Sequence, residues 1–134
     1  MDIGAQRSNG GSSGLAFAGP DPHAQPVFDL THLRRYTLGD RELEREVLDL
    51  FLGQLPATIS ALRQAVSDHE WKMAAHSLKG SGRAVGAWSL AQLAEQAERL
   101  PGVADAQRCG EHIDLIEQAA ADVRAFIVDA YQRV

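Results

Sequence analysis

From Cys109 to the C-terminus, apolar residues recur at steps of three and four: Cys109, Ile113, Ile116, Ala120, Val123, Ile127, Ala130 or Tyr131, and Val134. That spacing is the helical period, and it predicts one long helix with a single apolar face. Such a face cannot be buried alone, so other helices must cover it. The same period runs through Leu43, Val47, Leu50, Phe51, Leu55, Ile59, Leu62 and Val66, with Asp40 placed as an N-cap. Pro56 lacks an amide donor and is expected to kink this helix or split it near Leu55. Upstream, Phe28, Leu30, Leu33 and Tyr36 line a short helix closed by Gly39. Asp68 reads as the cap of a further helix ending at Gly86, and Ala87 or Trp88 opens the next. Leu90, Leu93, Ala97 and Leu100 form its stripe until Pro101 and Gly102 stop it. There is no strand signal and no internal repeat. The expected fold is all-α, an antiparallel bundle of amphipathic helices with short connections.

Residues 1–25, MDIGAQRSNGGSSGLAFAGPDPHAQ, are rich in Gly, Ser and Pro and carry no apolar period. They read as a disordered tail, leaving 26–134 as one helical domain. The 134 residues, 45% apolar and 23% charged, suffice for a single core. A formal charge of −5 argues against nucleic acid, whose phosphate backbone calls for a basic face. No apolar run reaches the length of a membrane span, and no secretory signal is visible, so the expected location is cytoplasmic. A single cysteine, Cys109, permits no internal disulfide and no cysteine-based metal site, and it fits a reducing compartment.

The stretch AAHSLKGSGRAVG, Ala74 to Gly86, combines a helical period with three glycines and a histidine. At about 100° per residue, Trp71, Ala74, Ala75, Leu78, Gly82 and Val85 share one face, and Ser81 lies near its margin. His76 points the opposite way, to solvent. Lys72, Lys79 and Arg83 share its stripe, which makes the stripe basic on an acidic protein. The three glycines occupy separate positions. Gly82 faces the core and lets a neighbouring helix approach, and Gly86 ends the helix. Gly80 lies beside the histidine, where a missing side chain keeps its approach open. An interior glycine costs about 1 kcal/mol relative to alanine, so Gly80 calls for such a reason.

An exposed imidazole is largely neutral near pH 7 and has a ring nitrogen free to attack. A phosphoryl group placed there would be labile and would add negative charge. Lys79 could offset that charge, with Lys72 and Arg83 as weaker helpers. Rival readings fare worse. A glycine-rich dinucleotide loop follows a strand, whereas a helical pattern precedes these glycines. His69 and His76 lie about 10 Å apart on one helix, too far to share a metal ion. His23 falls in the tail, and His32 and His112 read as surface residues without partners. Ser77 and Ser81 have no local histidine–carboxylate arrangement. An ordinary surface histidine remains open on these residues alone.

AAHSLKGSGRAVGAWSLAQLAEQAERL closely resembles the signature of histidine-containing phosphotransfer domains, whose core reads A-H-[ST]-[LF]-K-G-[SA] with a further glycine beyond. FDLTHLRRY and LFLGQLPATISAL are similar to that family's first two helices, and the resemblance spans about Phe28 to Arg133. It implies an up-down four-helix bundle with a short additional N-terminal helix. It also implies that His76 accepts a phosphoryl group from the aspartate of one receiver domain and passes it to another. By motif position, Lys79 would compensate phosphate charge and Gly80 would leave room beside the ring. Glu98 falls where the family places a polar residue near the histidine, and could orient it. Gly82 and Arg83 depart from the small or Asn-like residues common after the core motif, and Arg83 could tune which receiver docks. The sequence shows no ATP-binding kinase segment and no receiver domain, so a phosphocarrier without kinase or hydrolase activity of its own is expected. It would bind no cofactor or metal, the Mg²⁺ of transfer belonging to the receiver of a response regulator or hybrid kinase. Lys72, Met73, Arg83, Leu30 and Leu33 are the expected partner-binding residues, and a monomer is expected. A docking adaptor of the same fold that carries no phosphate, and a phosphatase acting on partners, are the competing readings.

Overall fold

A computed structural model describes residues 27–132, and the proposed 1–25 tail and Val134 lie outside them. The chain folds into α1 (Leu30–Thr37), α2 (Arg41–Gln64), α3 (Asp68–Val85), α4 (Trp88–Glu98) and α5 (Ala106–Gln132), with a short 3₁₀ turn at Gly102–Asp105 before α5. No strand occurs among the described residues. The helices α2 to α5 pack in a closed ring, α2 on α3, α3 on α4, α4 on α5 and α5 on α2, while α1 lies against α2 and α3. This is the four-helix bundle with an extra N-terminal helix that the sequence implies.

Capping explains most boundaries. Asp40 caps α2, accepting from the amides of Glu42 at 3.0 Å and Leu43 at 3.1 Å. Asp29 does the same for α1 through Thr31. At α3 the cap is Ser67 rather than Asp68: its hydroxyl accepts from the Glu70 amide at 3.1 Å, and Glu70 reaches back to the Val66 amide at 3.0 Å. Ser67 followed by Glu70 has the capping-box spacing, with the Glu70 carboxylate serving the amide one residue before the cap. Asp68 as the cap would instead put Trp71 at that third position, and Trp71 is needed in the core.

Pro56 does not split α2 into two helices; the helix runs unbroken from Arg41 to Gln64. Proline removes the amide that would have bonded the Leu52 carbonyl one turn earlier. Arg124 of α5 supplies the missing donor, its Nη2 reaching the Leu52 carbonyl at 3.3 Å. The outer positions of the α2 stripe also differ from expectation: Leu43, Leu50 and Val66 are exposed, whereas Leu48 and Glu44 are buried. Glu44, 1% exposed, accepts from Arg34 Nε at 3.0 Å and from the Tyr131 hydroxyl, which ties α1, α2 and α5 together. Burial alone would raise the Glu44 pKa, but the donors from Arg34 and Tyr131 outweigh it and hold the carboxyl below its ordinary value. Burial, reinforced by the Glu44 carboxylate, pushes the Tyr131 phenol up to about 12.

Two histidines read as surface residues have partners on other helices. His112 Nε2 lies 2.7 Å from the Leu93 carbonyl, joining α5 to α4. The His32 ring meets Trp88 edge-on at 4.8 Å. Neither partner is local in sequence, so no periodicity could show it.

The Arg124 contact can be tested directly. Replacing Arg124 with Met keeps the apolar stem but leaves the Leu52 carbonyl without its donor, and should lower stability by about 1 kcal/mol in urea unfolding. An unchanged midpoint would show that water serves that carbonyl equally well.

Candidate functional site

The face buried by α3 consists of Trp71, Ala74, Ala75, Leu78, Gly82 and Val85, together with Gly86 at its end. Those six are the residues that the helical wheel places together. His76 accordingly stands on the opposite side, with a side chain 68% exposed.

The approach of α4 to α3 depends on Gly82. A Cβ at this position would lie 3.2 Å from the Ala91 Cβ and 3.3 Å from the Ala87 carbonyl oxygen, tighter than most packed side chains, so α4 would have to give slightly. Gly86 turns the chain at φ +89°, in the left-handed region that glycine alone enters without strain. Its amide and that of Ala87 both donate to the Gly82 carbonyl, at 3.1 and 2.8 Å, before α4 starts at Trp88. At the other end of the pair, Trp71 Nε1 donates to the Ala97 carbonyl at 2.7 Å in a buried contact. The two helices are thus fixed to each other on either side of His76.

The residue after Ala97 is Glu98, and this tie carries its carboxylate to the histidine. Glu98 Oε2 lies 3.4 Å from His76 Nδ1, at the outer edge of hydrogen-bond range. The other oxygen, Oε1, forms an ion pair with Lys79 Nζ. The hydrogen bond and charge of Lys79, against a smaller opposing effect of burial, hold the Glu98 carboxyl below its ordinary value, with His76 adding to the effect. Glu98 is therefore an acceptor at neutral pH. A hydrogen bond across this contact requires the proton on Nδ1, a tautomer that leaves Nε2 with the free lone pair when His76 is neutral.

The basic stripe is real in sequence but largely compensated in space. Lys79, only 16% exposed, is held by Glu98, and Arg83 Nη2 lies 2.9 Å from Glu95 Oε2. Glu95 and Glu98 sit three residues apart on α4, on the face turned toward the stripe. Lys72 is exposed and has no ion-pair partner among the described residues. Glu95 was not singled out from the sequence, although its i, i+3 spacing from Glu98 places both on one side of a helix.

Gly80 has open space where a Cβ would stand, with nothing within 4 Å. Packing thus does not require this glycine, in contrast to Gly82. Met73 is 58% exposed and borders a shallow groove between α2 and α3, lined also by Ala61, Gln64, His69 and Glu70. Leu30 is half-buried against the core. The expectation for Leu33 does not hold: at 2% exposure its side chain belongs to the core and offers no surface to a partner, because α1 turns that face onto the bundle. No group of three or more His, Cys, Asp or Glu side chains suited to a metal ion occurs among the described residues. None of the described helices is long and apolar enough to cross a membrane.

The family model of the Hpt domain matches residues 46–126, a stretch that contains His76 and all of its neighbours described above. The chain belongs to the Hpt-domain family. Its fold is also that of a solved Hpt protein, histidine-containing phosphotransfer protein B from Pseudomonas aeruginosa PAO1. The two are 24% identical and superpose with a TM-score of 0.72 over 83% of this chain and 99% of the other. A search of curated proteins finds no match. For this Hpt domain, the alignment of exposed imidazole, glycine and carboxylate gives the family assignment a local chemical counterpart.

Glu98 offers a direct check on that counterpart. Its folded-state pKa is depressed, so its ion pair favours the fold fully above the ordinary glutamate value of about 4.3. That contribution is lost as pH falls through the lower folded value. Carboxyl NMR titration should place Glu98 below the ordinary range in the wild type and return it upward in Lys79→Met. An identical titration in the two proteins would remove Lys79 as the main cause.

Proposed function

We propose that this Hpt domain is a phosphorelay carrier in which His76 accepts a phosphoryl group from a receiver-domain aspartate and passes it to another receiver. The observation that carries the reading is His76 itself: exposed, held through Nδ1 by an ionised carboxylate, and therefore presenting Nε2 outward as a nucleophile. The Nε2 lone pair attacks phosphorus, the bond from phosphorus to the aspartate oxygen breaks, and the carboxylate leaves with its electrons. Nδ1 keeps its proton against Glu98 throughout, and the reverse sequence hands the group on. An acyl phosphate and a phosphoimidazole both transfer readily, so no nucleotide is called for at this step. In this reading the acidic pocket and Mg²⁺ belong to the receiver.

Gly80 supports the reading through access, because a docked aspartyl phosphate must reach Nε2 alongside the helix. Lys72, with no ion-pair partner among the described residues, would be free to meet the incoming charge, whereas Lys79 would meet it only in competition with Glu98. Docking would use the apolar surface beside His76, with Met73 and the exposed part of Leu30, while Lys72 and Arg83 supply rim charge. Rim charges of this kind act on association and partner choice more than on affinity. A bundle whose apolar faces pair internally is expected to work as a monomer in the cytoplasm.

The test is to mix the protein with a labelled phospho-receiver and follow label onto wild type, His76→Gln and Gly80→Gln. Wild type should be labelled, His76→Gln should not, and Gly80→Gln should be labelled more slowly while retaining its helical circular dichroism. Equal labelling of His76→Gln contradicts the assignment. Binding of a receiver with no labelling of wild type would favour the docking-adaptor reading.

A further inference from the structure

We propose that Glu98 withholds Lys79 from a phosphoryl group on His76, and so shortens the time the group stays on the imidazole. This rests on the carrier reading above and adds to it a residue that sets residence time. Both oxygens of the Glu98 carboxylate are engaged, Oε2 with His76 Nδ1 and Oε1 with Lys79 Nζ. The lysine that would neutralise the phosphoryl group is thus already neutralised by the group that orients the ring. Arg83, the next cation along the stripe, is similarly held by Glu95.

Transfer onto Nε2 brings nearly two negative charges to this surface. The phosphoryl oxygens and Glu98 then compete for one ammonium, whose flexible stem can serve either. An ammonium on the phosphoryl oxygens stabilises the charged phosphohistidine. It stabilises less the loose, metaphosphate-like transition state through which the group leaves, in which that charge is spreading. A lysine retained by Glu98 therefore leaves the group weakly held and ready to pass on. Glu98 is only 24% exposed and Lys79 less, so solvent screens this competition incompletely.

Substituting Gln for Glu98 separates its two tasks. The amide oxygen can still accept from Nδ1–H and orient the ring, but the neutral amide releases Lys79. Wild type, Glu98→Gln, Lys79→Met and the double variant are each labelled by a phospho-receiver and freed of it. Loss of label from His76 is then timed, both by hydrolysis and on adding fresh receiver. Glu98→Gln should lengthen the lifetime roughly two- to fivefold, the range that an ion pair of this exposure is worth. In the Lys79→Met background the same substitution should make no difference. Equal lifetimes for wild type and Glu98→Gln would overturn the proposal. So would a lengthening that persists without Lys79, since Glu98 would then act on the ring alone. A wild type that takes no label at all overturns the carrier reading, and this inference with it.

Discussion

The close approach of α3 and α4 at Gly82 brings the Glu95 and Glu98 carboxylates to the cations that share a stripe with His76. With a side chain at this position, α4 would meet a Cβ 3.2 Å from the Ala91 Cβ and would have to give by a few tenths of an ångström. Glu98 spans two contacts at once, to the imidazole on one oxygen and to the lysine on the other, and a carboxylate has little reach to spare. The tie from Trp71 to the Ala97 carbonyl fixes the far end, directly before Glu98. The site is therefore less a property of one exposed histidine than of the separation between two helices.

That separation gives the three glycines different physical roles. Gly82 permits packing, and Gly86 permits a left-handed turn that reverses the chain in one residue. Gly80 does neither, since open space surrounds it. A helix of this length bears about 1 kcal/mol for such a residue, and in the proposed carrier its use is to leave the approach to His76 open. The same contrast separates the charges. Lys79 and Arg83 read as a basic stripe along α3, but their partners lie on α4, so the surface that a partner meets is closer to neutral.

Much of this was legible in the sequence because it is local. Apolar spacing alone identifies the six core residues of α3 and turns His76 outward, and the motif around His76 points to the family. The partners of each polar group were not legible, since periodicity says which face of a helix is apolar but not which helices meet. The pairing of Glu95 with Arg83 and the burial of Glu44 under Arg34 and Tyr131 both depend on that. Pro56 is the sharpest case: the rule that proline interrupts a helix assumes an unserved carbonyl, and Arg124 serves it from a helix 72 residues away in sequence. Leu33 shows the converse, an apolar residue on a short helix whose inward and outward faces the sequence alone does not distinguish.

In the proposed carrier, Glu98 holds the Nδ1 proton and leaves Nε2 of His76 to carry the phosphoryl group. Nitrogen and phosphorus NMR on the isotopically labelled, phosphorylated protein reads this atom by atom. One-bond coupling of phosphorus to Nε2 of His76 is expected, with the proton retained on Nδ1. Phosphorus on Nδ1, or on any other residue, would contradict it.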